Sequence, residues 1–475
     1  MVSFSKLKNK FGVILLFIGD IITIFSIFYV SVFLRKHVIP FFLTDLPGYQ
    51  YDLATYLWIL PVWLIILTYE EGYSKRFSAW DEVRLLWKSA FFSSIAIFSM
   101  LFIMKRGQDY SRILIITMTA VSLVIFPILR LYIKQLLYAI GLMRRKVLII
   151  GSGESAINAY KGITQEPNLG YDVAGFIDDS SQITEIFGIK VRLGIAKVER
   201  YIKSAAIHDV LIAKPEMDKA SLTRLINRIQ HKAENTLYIP DINGIAVSGT
   251  ELRHFFKEQT IIIEVKNNLA SPLIYAAKRF IDYIAGLCIT LIFLPLMLGI
   301  AATIRLDSRG PSILRQKRIG KRGKEFYCYK FRTMCPDAEE ALKRLLESDT
   351  AAKEEYEKYW KLTNDPRITR VGGFLRRTSL DELPQILNVI KGEMSLIGPR
   401  PYLPREWQYI KEESPVIHAL PPGITGLWQV SGRNNQNYNF RITMDSWYVK
   451  NWNLWLDVMI FLKTIGVVIK RDGAH

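Results

Sequence analysis

Residues 365–401, DPRITRVGGFLRRTSLDELPQILNVIKGEMSLIGPRP, place two acidic side chains next to each other in a basic stretch. The acids are Asp381 and Glu382, with Arg376 before them and Arg400 after them. A guanidinium group can bind two oxygens of one phosphate, and a carboxylate can act as a nucleophile or hold a divalent metal ion. On a functional interpretation, the arginines would therefore hold the phosphates that a carboxylate attacks.

The same acidic pair also has a purely structural interpretation. Ser379 and Glu382 have the spacing of a capping box, which predicts a helix that begins near Ser379 and ends at Gly392. Acidic residues are common in a first helical turn because the helix dipole favours their ionised form. The residues of this segment alone do not decide between the two interpretations.

Six ordered motifs in the last third of the chain extend the pattern. They are QKRIG at 316–320, YKFRTM at 329–334, DPRIT at 365–369, TSLDELPQ at 378–385, GEMSLIGPRP at 392–401 and PGITGLWQVSGR at 422–433. This set resembles the signature of the bacterial sugar transferase family, monotopic enzymes that load a sugar-1-phosphate onto polyprenyl phosphate. The layout of the whole chain resembles the large members of that family, which handle galactose-1-phosphate or glucose-1-phosphate.

The resemblance implies a reaction and a role for each charged residue. Asp381 would attack a UDP-sugar, release UMP and carry the sugar phosphate covalently until undecaprenyl phosphate accepts it, while Glu382 would hold Mg²⁺. Four basic residues are candidates for binding phosphate: Arg376, Arg400, Lys330 and Arg332. Galactose is the expected sugar, with glucose next, the product would initiate a surface polysaccharide or glycan, and a homodimer is implied as the assembly.

Two other functions stay open. A glycosyltransferase that moves the sugar alone would release UDP, and it would normally carry a D-x-D motif, which the sequence lacks. A membrane regulator whose middle domain senses a nucleotide would need no chemistry, and the intact pair of Asp381 and Glu382 argues against it.

Composition indicates a membrane protein. Half of the 475 residues are hydrophobic, the net charge is +18 and the mean hydropathy is +0.15. The basic residues cluster at the borders of apolar runs and around the acidic pair, so membrane lipid is an expected partner and nucleic acid is not. The three cysteines and six histidines have no C-x-x-C or H-x-x-x-H spacing, which argues against a disulfide framework or a zinc site.

The first 140 residues predict a transmembrane bundle of four helices. Four apolar runs, each near spanning length, cover about 11–34, 53–67, 89–104 and 113–137. Basic residues precede the first run and follow the fourth: Lys6, Lys8, Lys10, Arg144, Arg145 and Lys146. By the positive-inside rule both ends of the bundle face the cytoplasm, so we expect a multi-pass protein of the bacterial cytoplasmic membrane with its catalytic domain on the cytoplasmic side.

Residues 141–245 predict an α/β domain of Rossmann-like type with a parallel sheet. Apolar strands alternate with amphipathic helices, and Gly151 and Gly153 follow the first strand in a G-x-G-x-x-A pattern. Asp178, at the end of the second strand, is a candidate ligand for a ribose. The domain lacks the Y-x-x-x-K of related sugar-nucleotide enzymes, so a scaffold with degenerate or regulatory nucleotide binding is favoured over a working NAD enzyme.

A linker at 246–270 is predicted to lead into the catalytic domain, 271–475, of mixed α/β and mainly helical structure. Its apolar segment 280–304 is long enough to span a bilayer, but basic residues flank it on both sides and Pro295 lies near its middle. These features predict a re-entrant helix that breaks at Pro295 and returns to the cytoplasmic face.

Overall fold

The computed structural model describes residues 2–43, 48, 51–106, 109–181, 183–241, 251–255, 260–264, 268–349, 353–354, 356, 365–432 and 438–470. The chain divides into two units, Met1–Ile242 and Asn243–His475. The predicted transmembrane helices and the predicted parallel sheet lie together in the first unit, and the predicted catalytic domain lies in the second.

Apolar helices open the first unit. They are α1 (Val2–His37), α2 (Leu53–Tyr56), α3 (Ile59–Tyr69), α4 (Ala79–Ile103) and α5 (Arg112–Ala139), with a 3₁₀ turn at Ile39–Phe41. Helices α1, α4 and α5 are long and apolar enough to cross a membrane, which agrees with three of the four predicted spans. The second predicted span instead forms the shorter pair α2 and α3, and the remaining candidate span is Pro272–Asp307 in the second unit.

Buried charges join the helices of this bundle. The Arg130 guanidinium of α5 donates to Asp20 of α1 and, at 2.8 Å, to Glu82 of α4. Lys134, one turn later, donates to the other Glu82 oxygen at 2.6 Å, and the Tyr73 hydroxyl donates to Asp20 at 2.7 Å. A buried charge is tolerated only when it is paired, so this network fixes which faces of the three helices meet.

A six-stranded sheet follows the bundle. Its strands are β1 (Arg145–Ile150), β2 (Tyr171–Ile177), β3 (Glu185–Ile186), β4 (Ile189–Arg192), β5 (Asp209–Ile212) and β6 (Asn235–Tyr238). The order is β3-β4-β2-β1-β5-β6, and every pairing is parallel except that of β3 with β4. Helices α6 (Glu154–Gln165), α7 (Val198–Ser204) and α8 (Lys219–Ile229) connect the strands, which confirms the predicted Rossmann-like alternation.

The second unit begins with an antiparallel pair of strands inside the predicted linker. These are β7 (Glu251–Phe255) and β8 (Thr260–Glu264). The long helix α9 (Pro272–Asp307) leads to the antiparallel pair β9 (Ile313–Ile319) and β10 (Glu325–Phe331). Further on, β11 (Ser395–Ile397) pairs in parallel with β12 (Gly423–Thr425).

Helices make up most of the rest of this unit. They are α10 (Ala338–Ser348), α11 (Arg370–Thr378), α12 (Gln385–Ile390), α13 (Trp407–Ile410), α14 (Ser414–Ile417), α15 (Leu427–Val430), α16 (Tyr438–Lys450) and α17 (Leu454–Lys470). Small 3₁₀ turns lie between some of them, among them Leu380–Glu382. The predicted mixed, mainly helical character of this region is confirmed.

The predicted helix that begins at Ser379 is wrong. Ser379 ends α11 instead, with a left-handed backbone (φ 54°), and its side chain caps nothing. The next helix, α12, begins only after Pro384, because a proline inside a longer helix would lack a donor and clash with the preceding turn. The predicted end is confirmed, since Gly392 has a positive φ of 85° just beyond α12.

Helix α9 runs without interruption through Pro295, so the predicted break of the helix there is wrong. A proline removes one backbone hydrogen bond, and the apolar turns on both sides keep their own bonds. The continuity of the helix does not decide its path through the membrane, so the re-entrant path stays a prediction.

Both halves of α9 pack on the second unit. In the N-terminal half, the buried Asp282 carboxylate accepts hydrogen bonds from the Ser395 hydroxyl at 2.8 Å and the Leu396 N–H at 3.1 Å. In the C-terminal half, Met297, Ile300 and Ile304 form one apolar cluster whose other buried members are Phe331 and Leu375. The same fold therefore contacts the helix on either side of Pro295.

Two adjacent glycines of α11 provide a test of how tightly this helix is packed. A Cβ on Gly372 would lie well inside van der Waals contact of the Thr333 carbonyl, whereas a Cβ on Gly373 would meet Ile368 at an ordinary 3.9 Å. Gly372→Ala should therefore destabilise the protein by about 1 to 3 kcal/mol through forced backbone movement. Gly373→Ala should stabilise it by roughly 0.5 to 1 kcal/mol, because alanine is the better helix former.

Thermal unfolding of the purified protein in detergent measures both changes. Equal melting temperatures for the two variants would contradict the close contact between α11 and Thr333.

Candidate active site

The acidic pair lies in the 3₁₀ turn Leu380–Glu382, between α11 and α12. The left-handed Ser379 turns the chain at the end of α11, and Pro384 begins α12, so the turn is held at both ends. Leu380 and Leu383 pack against the cluster formed by the C-terminal half of α9. The two carboxylates therefore lie in a turn whose leucines share one apolar cluster with α9.

Lys330 of β10 pairs with Glu382. Its Nζ donates to Glu382 Oε1 at 2.6 Å, and both side chains are half-buried. The strand is held in register by Asn388 of α12, whose Oδ1 accepts from the Tyr329 N–H at 3.0 Å and whose Nδ2 donates to the Tyr327 carbonyl at 2.8 Å. A fully buried amide that bonds two backbone groups of one strand fixes the distance from that strand to the acidic turn.

Asp381 is poorly solvated. Burial raises the pKa of Asp381 to about 6, and Lys330 opposes this rise. The adjacent Glu382 carboxylate also raises the pKa, while Arg376 lowers it. At neutral pH the carboxyl group is therefore mostly ionised but weakly stabilised, which is a favourable state for a nucleophile.

Arg376 and Arg400 approach the acidic turn from different elements. Arg376, at the end of α11, donates from Nε to the Thr333 hydroxyl at 2.9 Å. The backbone N–H of Arg400, after β11, donates to Asp445 at 3.0 Å, and its guanidinium lies 5.5 Å from the centre of the Trp428 ring. Lys330, Glu382 and Arg400 line one pocket, so the structure brings these predicted residues together.

Arg332 does not join them. Its Nη1 donates to the Arg309 carbonyl at 2.8 Å, and its Nη2 donates to the Ser308 carbonyl at 2.7 Å and the Ser308 hydroxyl at 2.9 Å. The side chain is 8% exposed. Arg332 therefore holds the chain where it leaves α9, and the predicted phosphate contact has no support from its position.

Several pocket residues were not assigned a role from the sequence. They are Arg318, Gln385, Trp428 and Gln429, all of which line the pocket with Glu382 and Arg400. Each lies inside one of the six quoted motifs, but motif membership alone does not separate a ligand from a packing residue. Arg441, which packs on Trp428 at 4.4 Å from the ring centre, lies outside the motifs, and its only signal is its i, i+4 spacing to Asp445.

The glycine motif of the first unit has Rossmann-like geometry. Gly151 has a φ of 121°, and a Cβ there would lie 2.5 Å from the Ala213 carbonyl, so only glycine fits. Gly153 precedes the first turn of α6, and Glu154 follows it in that turn. A carboxylate at this position opposes the binding of a nucleotide phosphate at the helix N-terminus.

Asp178, the candidate ribose ligand, is already engaged. It accepts hydrogen bonds from the Ser152 hydroxyl at 2.7 Å, the Ser180 hydroxyl at 2.8 Å and the Lys214 ammonium at 2.9 Å. Although burial raises the pKa of this carboxyl, the bonds from Lys214 and Ser152 hold it below its ordinary value. These internal bonds support the scaffold interpretation of the domain.

Comparison with known proteins finds two family models, one in each of the two units of the chain. The family model described as bacterial sugar transferase matches residues 273–471, and the model described as CoA-binding domain matches residues 68–240. The first match contains the acidic turn and the pocket, and the second contains the parallel sheet.

Three relatives extend over most of the chain. The protein named undecaprenyl-phosphate galactose phosphotransferase from Salmonella typhimurium is 36% identical, over 85% of this chain and 84% of its own. The UDP-galactose-lipid carrier transferase of Erwinia amylovora is 36% identical, over 91% of each chain. The UDP-glucose:undecaprenyl-phosphate glucose-1-phosphate transferase of Klebsiella pneumoniae is 29% identical, over 69% of this chain and 68% of its own. Since the similarity includes both the sheet and the acidic site, this chain belongs to the bacterial sugar transferase family.

Proposed function

We propose that the protein transfers a hexose-1-phosphate from a UDP-sugar to undecaprenyl phosphate, releases UMP, and so initiates a surface polysaccharide. The observation that carries the proposal is the poorly solvated Asp381 beside the Glu382–Lys330 pair, at the edge of the apolar helix α9. The names of the relatives support the donor and acceptor classes. Galactose is the favoured sugar because the two relatives named for galactose are more similar to this chain than the one named for glucose.

In the first step, an Asp381 carboxylate oxygen attacks the phosphorus that bears the sugar. A new P–O bond forms to Asp381, the bond to the bridging oxygen breaks, and that oxygen leaves with its electron pair as part of UMP. Arg376 and Arg400, on two sides of the acidic turn, neutralise the phosphates. Lys330 keeps Glu382 in place and lowers the pKa of Asp381.

In the second step, a phosphate oxygen of undecaprenyl phosphate attacks the same phosphorus. The bond to Asp381 breaks, the carboxylate is regenerated, and the product is a lipid diphosphate that carries the sugar. Each step forms one P–O bond and breaks another, so the oxidation state of phosphorus is unchanged and the cycle needs no redox partner.

Mg²⁺ is the proposed cofactor. Magnesium is usually bound by one or two carboxylates together with substrate phosphates, and Glu382 with the adjacent Asp381 offers such a set. Among the described residues no group of three or more acidic, histidine or cysteine side chains forms a closed metal cage, which suits a cation that arrives with a diphosphate. The ion would supply neutralisation of the diphosphate and of the leaving UMP.

The path of α9 through the membrane is proposed to be re-entrant. Residues 291–296, around Pro295, are all exposed and mainly apolar, whereas turns on both sides of them pack on one catalytic fold. A helix that crossed the bilayer would place these two packed halves at opposite faces. We therefore infer that α9 bends at Pro295 while its backbone stays helical, that the exposed middle dips into one leaflet and that both ends lie on the cytoplasmic side, where UDP-sugars are made.

Removal of the nucleophile tests the proposed chemistry. Asp381→Asn should lower UMP release from a UDP-sugar by about a thousandfold or more, because the amide cannot form the covalent intermediate. The control reaction is wild-type enzyme with the same donor, for which UMP and not UDP is the expected product. Turnover near the wild-type rate by the variant, or release of UDP by the wild type, would contradict the mechanism.

The same variant has a predicted effect on stability. The pKa of Asp381 is about 6 in the folded protein, above the value near 3.9 of an unfolded chain. Wild-type stability should therefore fall as the pH rises from about 4 to 6, and the asparagine variant should escape this loss. At pH 8 the free energy of unfolding of Asp381→Asn should exceed that of the wild type by roughly 1 to 2 kcal/mol, a figure that allows for screening by solvent. This difference between the two proteins should become smaller toward pH 5.

Cysteine labelling in intact cells tests the path of α9. The exposed residues Leu273 and Leu306 flank the apolar middle, and the native Cys288 lies between them. In a Cys288→Ser background, Leu273→Cys and Leu306→Cys should both react with a membrane-impermeant thiol reagent only after the cytoplasmic face is opened. Labelling of Leu306→Cys from the outside of sealed cells would establish a true span and overturn the re-entrant path.

A further inference from the structure

Two arginines meet at one tryptophan that lines the pocket. Arg441 of α16 lies 4.4 Å from the centre of the Trp428 ring, and Arg400 lies 5.5 Å from the same centre. Two guanidinium groups at one ring repel each other, so their closeness needs a compensating negative charge.

Buried polar atoms without a partner are concentrated at this point. Within the described ranges, five such atoms belong to this cluster: Nε of Arg400, Nε of Arg441, Nε1 of Trp428, the hydroxyl of Tyr438 and Oδ1 of Asp445. Tyr438 belongs to the cluster because the Arg441 guanidinium lies 5.6 Å from its ring. Buried polar atoms in folded proteins are nearly always bonded, and four of these five are N–H or O–H groups that can donate to a ligand that is not part of the chain. The fifth, Asp445 Oδ1, is an acceptor and does not bind an anion.

The nearby carboxylates do not neutralise the two arginines. Asp445 is fully buried, and its Oδ2 already accepts from the Tyr402 hydroxyl at 2.7 Å and the Arg400 N–H at 3.0 Å. Glu406 accepts from the Leu403 N–H at 2.6 Å. In the part of the chain that the structure describes, neither guanidinium forms an ion pair with a carboxylate, so the cluster carries excess positive charge.

A third arginine adds to this charge and fixes the position of Arg400. Arg318 Nη1 donates to the Pro401 carbonyl at 2.9 Å, which holds the chain directly after Arg400. Burial lowers the pKa values of Arg318 and Arg441, and the charge of Arg400 lowers both further. An anion bound among the three would remove this repulsion.

The pocket connects this cluster to the acidic pair. Arg400, Trp428 and Arg318 line the same pocket as Glu382 and Lys330. Leu380 and Leu383 of the acidic turn pack against the apolar cluster to which the C-terminal half of α9 contributes. In the proposed reaction the lipid phosphate approaches along this apolar helix, which leaves the arginine-lined pocket at Trp428 for the water-soluble substrate.

We propose that Arg441, with Arg400 at Trp428, holds the phosphate of the nucleoside monophosphate that leaves in the first step. The identity of the nucleotide as UMP rests on the proposed function. Before the step this group is the donor phosphate farther from the sugar, and after the step it is the phosphate of the product. Arg441 is therefore a determinant of nucleotide affinity and takes no part in the transfer to the lipid.

Direct binding of UMP to the purified full-length protein tests the proposal without turnover. Arg441→Gln should weaken UMP binding by about 10- to 100-fold, the usual effect of losing a charged hydrogen bond to phosphate. Arg441→Lys should recover part of this loss, because it keeps the charge but not the two-pronged geometry. The matched control is Lys450→Gln, which removes the same charge from the same helix at a side chain that lies 3.7 Å from Glu413.

Two further probes identify the group that is held. Uridine, which lacks the phosphate, should bind equally to the wild type and to Arg441→Gln. In turnover assays of the wild type and the variants, the KM for the UDP-sugar should follow the UMP affinity. The KM for undecaprenyl phosphate should stay unchanged.

Three outcomes would overturn the proposal. One is wild-type UMP affinity in both Arg441 variants, which would mean that the cluster holds only water. The second is a loss confined to the KM for undecaprenyl phosphate, which would assign the cluster to the acceptor. The third is a loss of UMP affinity in Lys450→Gln as large as that in Arg441→Gln. If Arg441→Gln weakens UMP binding but the wild type releases UDP in turnover, the proposed function is contradicted while the proposed UMP-binding site is still supported.

Discussion

The contact between the acidic turn and the apolar helix α9 is the constraint on which the rest of the second unit depends. The proposed reaction moves a sugar phosphate from a water-soluble nucleotide sugar to a phosphate on a lipid, so the proposed nucleophile must lie where the two media meet. Leu380 and Leu383, on either side of the pair, pack against the apolar cluster to which the C-terminal half of α9 contributes. The N-terminal half of α9 is fastened to the same unit by the hydrogen bond from Ser395 to Asp282.

Burial and the neighbouring charges act in opposite directions on the acidic pair. Burial raises the pKa of Asp381 to about 6, and Lys330 limits this rise while pairing with Glu382. Asn388 keeps the strand of Lys330 at a fixed distance from the turn. Among the described residues, the two arginines at Trp428 form no ion pair with a carboxylate, and polar atoms beside them have no partner, which is the basis for the proposed phosphate site there.

The parallel sheet and most helices could be predicted because hydrophobic periodicity is a local property. The motifs also contain Lys330, Glu382 and Arg400, which the structure brings to one pocket, while their roles in the reaction stay predictions. The prediction of a helix beginning at Ser379 was wrong because two other signals oppose the capping box, namely the end of α11 and Pro384. The sequence alone does not show which of these signals is the strongest. Lys330 and Arg332 look equivalent in sequence, but β10 ends at Phe331, and the chain beyond it directs Arg332 to the end of α9. Arg441 was not singled out because it lies outside the six motifs, and only its packing on Trp428 connects it with the pocket.

The covalent intermediate is the central claim, and mass analysis of the protein tests it most directly. Full-length enzyme mixed with UDP-galactose and Mg²⁺, without undecaprenyl phosphate, should gain the mass of one hexose phosphate on the peptide that contains Asp381. Addition of undecaprenyl phosphate should remove that mass and yield the lipid-linked sugar. Unmodified Asp381 in an enzyme that nevertheless releases UMP only when the acceptor is present would contradict the account and indicate direct transfer between the two substrates.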